Sequence, residues 1–218
     1  MSFIDLSQFE TLALPIVNCL LIGYLFGSIP SGLWIVKSIH GIDIREYGSH
    51  NIGATNVFRT VGIPTALAVL ISDMAKGMAA CFIAQYLYDM NFLTVIAAIG
   101  TILGHNYSLF LGLKGGKGVA TGLGLLVYLM PEVSGISFGI WLIIVLLTRY
   151  VSLGSILASF TTPLLAWYFG YPRSYIALAM VCGLFILIRH KENIIRLMNG
   201  CENKIKVGNS IIECCLTH

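Results

Sequence analysis

Residues 113–122 read Leu-Lys-Gly-Gly-Lys-Gly-Val-Ala-Thr-Gly. Lysines interleaved with glycines have the chemistry of an anion cradle. Glycine lets successive amide N–H groups converge, a following helix offers its N-terminal dipole, and the ammonium groups add charge. The spacing excludes a nucleotide P-loop, which requires G-x-x-x-x-G-K-[ST]. Here Leu111 and Gly118 stand where that motif needs glycine and a hydroxyl residue. Lys114, Gly115, Gly116, Lys117, Gly118 and Thr121 are therefore candidate ligands for a phosphate that is not a nucleotide's.

Two further stretches could share that task. In residues 43–59, Gly48, Ser49, Asn51, Gly53, Thr55 and Asn56 are packed between Arg45 and Arg59. Small residues expose backbone N–H groups, and the hydroxyls and amides add donors; the plainer alternative is a polar loop with glycine turns. In residues 189–203, His190, Asn193 and Leu197 would share one helical face. That stretch could equally be an amphipathic helix whose basic side chains meet lipid headgroups. His190 could serve as acid, base or cationic donor, and Glu192 is grouped with the same candidate face. Ser152 and Ser155 follow Arg149 and either bind substrate or bond to helical carbonyls. His105 and Asn106 are placed to orient the glycine-lysine turn or to be buried in their own helix. No acidic cluster suited to Mg²⁺ accompanies these residues, so metal-independent phosphate chemistry without a cofactor is expected.

The elements that must hold these residues are membrane helices. The chain has 218 residues, is 57% hydrophobic and is only 11% charged, with a mean hydropathy of +0.86. A soluble domain carries about 25% charged residues, so this composition cannot cover a globule. Residues 11–36, 90–113 and 150–172 contain no charged side chain, each long enough for the roughly 20 residues a spanning helix needs. Residues 61–88 are interrupted only by Asp73 and Lys76, which at i, i+3 are expected to pair, because a lone charge within a bilayer is costly.

The pattern predicts an all-α integral membrane protein of about seven spans, near 12–38, 61–88, 92–111, 118–131, 135–149, 152–170 and 174–190. Two of these are short and glycine-rich, so a count of five stays open. With the N-terminus outside, Lys37, Arg45, Arg59, Lys114, Lys117, Arg149, Arg189, Lys191, Arg196, Lys204 and Lys206 all fall on the inner side and Arg173 on the outer. This bias places the C-terminus in the cytoplasm. All three polar stretches then face the cytoplasm. No cleaved signal peptide is expected, since residues 1–10 carry Asp5 and Glu10 and no basic residue. The six cysteines show no paired spacing. Residues 1–203 read as one transmembrane domain and 204–218 as a short tail.

At these residues the sequence resembles the acyl-phosphate:glycerol-3-phosphate acyltransferases of bacterial membranes. Three motifs carry the likeness in order: Gly48-Ser49-x-Asn51-x-Gly53-Ala54-Thr55-Asn56, Lys114-Gly115-Gly116-Lys117-Gly118-x-Ala120-Thr121, and His190-x-Glu192-Asn193-Ile194-x-Arg196-Leu197. Ser28-Ile29-Pro30 and Tyr150-Val151-Ser152-Leu153 extend it. The likeness implies transfer of an acyl group from acyl phosphate to the 1-hydroxyl of glycerol-3-phosphate at the inner membrane, giving lysophosphatidic acid and phosphate. It also implies seven helices. His190, Asn193, Lys117 and Ser49 would be the catalytic residues; Arg45, Asn51, Thr55, Asn56, Arg59, Ser152, Ser155 and Glu192 would join the turn in binding substrate. His50 stands where that family usually has glycine, and Gly154 where serine is common. A monomer in lipid with no nucleic-acid partner is expected. The rival readings are a transporter or channel for a small phosphorylated anion, and a structural membrane subunit, which leaves the glycine-lysine turn unexplained.

Overall fold

The computed structural model describes residues 6–205, and side chains from residue 12 onward. Among the described residues the regular structure is entirely helical. The helices are α1 (Leu6–Ser28), α2 (Ser31–His40), α3 (Ala54–Val61), α4 (Ile63–Tyr88), α5 (Asn91–Asn106), α6 (Val119–Leu129), α7 (Pro131–Thr148), α8 (Val151–Tyr168), α9 (Arg173–Arg189) and α10 (Lys191–Met198). Short 3₁₀ turns occupy Ile44–Glu46 and Leu109–Leu111.

Five segments are long and apolar enough to cross a bilayer: Leu12–His40, Ile63–Tyr88, Asn91–Leu111, Pro131–Thr148 and Val151–Tyr168. A sixth is counted if α9 and α10, bent by 61° at His190, form one span. The expected seventh, near 118–131, becomes α6, which has 11 residues. At 1.5 Å per residue it is about 16 Å long, roughly half the hydrocarbon thickness. The apolar run already reads as short and glycine-rich, and Gly118 and Met130 trim the helix further within it. The protein is thus a multi-pass membrane protein. Leu146, Leu147, Leu164 and Ile188 point their side chains outward, as lipid-facing residues do.

The predicted first span is broken at Ile29-Pro30 into α1 and α2. Proline has no N–H to continue the ladder, so the carbonyls before it lose their partners. At membrane depth no water replaces them. Two distant side chains do. Ser108 donates from Oγ to the Ser28 carbonyl at 2.5 Å, and Lys76 donates from Nζ to the Ile29 carbonyl at 2.8 Å. Lys76 is also 2.8 Å from Asp73 Oδ1, with both side chains buried. The expected Asp73–Lys76 pair therefore forms, and it closes the helix break as well.

Close backbone contact holds α5 in place beside α1. A side chain at Gly104 would strike the Tyr24 carbonyl, and one at Gly27 would strike the Thr101 carbonyl. Small residues of this kind let membrane helices approach closely. A second cluster, with Val36, Ile44, Ile52, Val57 and Val69 buried together, fastens the loop after α2 to α3 and α4. These contacts fix the α5 C-terminus and the 43–59 stretch, on which the site is built. Replacing Lys76 by methionine leaves the buried Asp73 carboxylate without its ion-pair partner and the Ile29 carbonyl with the Ser31 N–H alone. We expect a destabilisation of about 3–5 kcal/mol, read as a lowered unfolding midpoint of the detergent-purified protein, with no direct effect on substrate contacts.

Candidate active site

The first motif folds around one side chain. Asn56, at the start of α3, is buried. Its Nδ2 donates to the carbonyls of Asn51 at 2.8 Å and Tyr47 at 3.0 Å, while its Oδ1 accepts from the Ser49 N–H at 2.8 Å. Asn51 Oδ1 accepts from the Gly53 N–H at 2.9 Å. Asn56 is thus the organiser of the turn, its polar atoms committed to backbone. The Ser49 hydroxyl and Thr55 are left on the surface of a cavity. Arg45 is not on that surface: it pairs with Asp43 at 2.6 Å on the exposed side of the loop.

The glycine-lysine turn is anchored rather than open. The N–H groups of Gly115 and Gly116 donate to the Asn106 and His105 carbonyls at 3.1 and 3.0 Å. Arg189 grips the two glycine carbonyls, with Nη2 at 2.8 Å from Gly115 and Nε at 3.0 Å from Gly116. A side chain on Gly116 would strike the His105 ring. These glycines permit close docking onto the end of α5, and their amides are spent there. His105 turns its Nδ1 to Thr121 Oγ1 at 3.1 Å, so Thr121 is buried and off the cavity surface. Lys114 is exposed and also off it. What the turn presents to the cavity is Lys117, Gly118 and the first turn of α6, whose N–H groups have no partner within the helix. The anion chemistry expected of the turn is carried by its second half.

The third motif meets the other two here. Lys117 Nζ donates to Asn193 Oδ1 in a short contact. Asn193 Nδ2 donates to Glu202 Oε1 at 2.7 Å. The same carboxylate accepts from Ser152 Oγ at 2.9 Å and from Arg196 Nε at 2.8 Å. Burial would raise the Glu202 carboxyl, but hydrogen bonds from Asn193, Arg196 and Ser152 outweigh it and hold the group low. Glu202 lies just beyond the third motif, in a region whose polar residues read as the approach to a tail. In the structure, residues 201–205 fold back across the α7–α8 turn. Ile205 N–H donates to the Arg149 carbonyl at 2.9 Å, and Lys204 lies over the Tyr150 ring. Asn203 in turn accepts from Arg59 Nη2 at 2.9 Å through its carbonyl. One usable signal for Glu202 was present, a carboxylate following Arg196 at a distance a helix end could close. Arg189 carried no such signal; it read only as a topological charge.

Lys117, Arg59, Arg196 and Arg189 therefore converge with Glu202 on the mouth of the cavity or brace its wall, with Lys191 and Glu192 beside them. Arg59 is half-buried and its Nε has no partner. A buried guanidinium N–H without an acceptor carries a desolvation cost that an anion's oxygen would offset. His190, buried at the junction of α9 and α10, points Nδ1 at the Ile186 carbonyl at 2.8 Å. A carbonyl only accepts, so Nδ1 carries the hydrogen and the neutral ring offers Nε2 as an acceptor. Ser155 donates its hydroxyl hydrogen to the Val151 carbonyl at 2.9 Å and keeps its oxygen as an acceptor. Glu192 sits at the rim, with its side chain 89% exposed. The cavity measures about 920 Å³ and runs on from this mouth between α4, α6, α7, α8 and α9, where Leu70, Leu126, Phe138, Ala179, Cys182 and Ile186 line it.

The chain matches the glycerol-3-phosphate acyltransferase family model over residues 17–200. The chain belongs to this family. A glycerol-3-phosphate acyltransferase of Synechococcus sp. (strain JA-3-3Ab) is 46% identical over 183 residues, 84% of this chain and 90% of that one. One from Fusobacterium nucleatum subsp. nucleatum is 44% identical over 184 residues, 84% of this chain and 94% of that one. Two crystal structures of PlsY (YgiH), an integral membrane glycerol 3-phosphate acyltransferase, share the fold. The glycerol 3-phosphate form has a TM-score of 0.83 at 40% identity, covering 88% of this chain and 96% of that one. The lysophosphatidic acid form has a TM-score of 0.80 at 38% identity, covering 88% and 95%. These relatives are acyltransferases; the transporter reading finds no support among them.

Lys117 offers a pH test. Burial, and then the neighbouring Arg196 cation, push its ammonium down to about 8. The charged form is the one that attracts a phosphate, so affinity for the phosphate-bearing substrate should fall as pH rises through about 8. Lys117→Arg keeps its charge throughout that range. We expect the arginine enzyme to lose the alkaline rise in KM while binding more weakly at pH 7. The check is a KM profile from pH 6.5 to 9.5.

Proposed function

We propose that the protein transfers an acyl group from acyl phosphate to the 1-hydroxyl of glycerol-3-phosphate, releasing lysophosphatidic acid and inorganic phosphate. The observation that carries this reading is the single cavity with a cationic mouth and an apolar continuation. Acyl phosphate is a dianionic head on a hydrocarbon chain and fits that division of polarity. In this reading the chain embeds seven helices, with α6 as the short one, and has its N-terminus outside and this mouth at the cytoplasmic face of the bacterial inner membrane, a reading that the positive-inside bias supports.

In this reading Ser49, Asn51, Thr55 and Lys117 hold the acyl phosphate head. Arg59, Ser155 and His190 hold glycerol-3-phosphate, and Asn193 fixes Lys117 between the two. The hydroxyl oxygen attacks the acyl carbonyl carbon, the C–O bond to phosphate breaks, and phosphate leaves. Acyl phosphate is already activated, so positioning and charge stabilisation are what the protein must supply. His190 Nε2, free to accept, takes the hydroxyl proton and returns it to the departing phosphate. The protein acts as a monomer surrounded by lipid.

The decisive assay is detergent-purified protein given acyl phosphate and glycerol-3-phosphate, scored for lysophosphatidic acid and phosphate release. Turnover without a sealed vesicle is expected; absence of product overturns the proposal. His190→Gln should lower kcat by roughly two orders of magnitude, the usual size of a general-base contribution. It should also remove the acid limb of the rate profile. A change confined to the KM for glycerol-3-phosphate would reassign His190 to binding alone.

A further inference from the structure

His50 is held in a conformation that its turn does not favour. Its φ is 56°, in the left-handed region that residues other than glycine seldom enter. Such strain persists where the surroundings impose it, and it gathers at functional sites. Two contacts impose it here: the His50 N–H donates to the Tyr47 carbonyl at 3.0 Å, and the ring Nδ1 meets the Arg45 carbonyl at 2.8 Å. The carbonyl only accepts, so Nδ1 carries a hydrogen and Nε2 is the ring's unused nitrogen. The ring is part of the cavity surface, next to Ser49 and Asn51 and in the same mouth as Arg59 and Lys117. The Ser49 and Gly53 amides are already committed to Asn56 and Asn51, so the His50 ring adds a side-chain donor or acceptor where two of the turn's amides are spent.

We propose that His50 is a substrate-binding residue whose Nε2 hydrogen-bonds a phosphate oxygen at the cavity mouth. It rests on the reading above that phosphate-bearing substrates enter this mouth. Fixing Nδ1 on a backbone carbonyl sets the ring's direction before the ligand arrives, which lowers the ordering cost of binding. The imidazole and the phosphate share one proton, whichever of them supplies it, and the bond is charge-assisted in either case. Glycine at this position would relax the backbone and lose the contact.

The test uses the full chain in detergent with His50→Gly and His50→Asn. Glycine removes the strain, and asparagine tolerates the left-handed conformation but is too short to replace the ring. Both variants should keep kcat within about twofold and raise the KM for one phosphate substrate roughly three- to tenfold, the size of one hydrogen bond. A rise for glycerol-3-phosphate assigns the contact to that phosphate; a rise for acyl phosphate assigns it to the other. The unfolding midpoint should stay level, or rise in the glycine variant. Unchanged KM values in both variants overturn the inference, as does a loss that tracks a lowered midpoint. Calorimetric binding of inorganic phosphate to wild type and variants keeps this outcome separate from the proposed function. If the wild type turns over neither substrate yet binds phosphate more tightly than both variants, the contact stands and the reaction does not.

Discussion

The structure depends on a rule of its solvent: at membrane depth every freed backbone carbonyl must find a donor within the protein. Pro30 frees carbonyls in the first long helix, and the donors that answer come from α4 and from the segment after α5. That single break therefore ties three elements together. The same rule explains the glycine-lysine turn. The carbonyls ending α5 at His105 and Asn106 take the amides of Gly116 and Gly115, and Arg189 takes the glycine carbonyls. Lys117 is delivered to the cavity by a chain of backbone satisfaction rather than by a flexible loop.

Electrostatics builds on that frame. Glu202 is the carboxylate that orders the mouth, and its three partners come from two helices: Ser152 on α8, Asn193 and Arg196 on α10. Glu202, even with Glu192 at the rim, cannot neutralise Lys117, Arg59, Arg189, Lys191 and Arg196, so the mouth keeps an excess of positive charge. Buried cations of like sign are costly when unpaired. The partnerless Nε of Arg59 shows where the imbalance is felt. On the proposed function, a phosphate entering the mouth would relieve it.

Much of this was legible in the sequence, and the rest failed for identifiable reasons. The helical class, the Asp73–Lys76 pair and the gathering of three motifs followed from charge-free runs and from polar residues falling on one side. Roles within the motifs were harder. Asn56, Gly115 and Gly116 have the residue types of ligands, yet their polar groups bond to the turn's own backbone or to α5. Composition cannot distinguish a donor aimed at a substrate from one aimed at a neighbouring carbonyl. Glu202 was hidden for the opposite reason. Its partners are 50, 9 and 6 residues away, and only the fold-back of residues 201–205 brings them together. The short α6 was half visible: its apolar run reads as short and glycine-rich, while the helix bounds within that run are set by Gly118 and Met130.

The cavity's inner half carries hydroxyls as well as hydrocarbon, which bears on what it can hold. Ser155, Ser159 and Thr162 lie along one face of α8, and each donates its hydrogen to a carbonyl of that helix. A hydroxyl bonded back to its own helix exposes little more than a methyl-sized surface with a weak acceptor. Ser137 pairs its oxygen with Thr162 at 3.2 Å, removing another polar site from the wall. This face of α8 is therefore apolar in effect although not in composition. An alkyl chain can lie against it without stranding a donor, since each of its hydroxyl hydrogens is already spent on the helix's own carbonyls. The polarity change along the cavity thus runs from the cations at its mouth to a wall whose hydroxyls, from Ser155 inward, are turned back on α8.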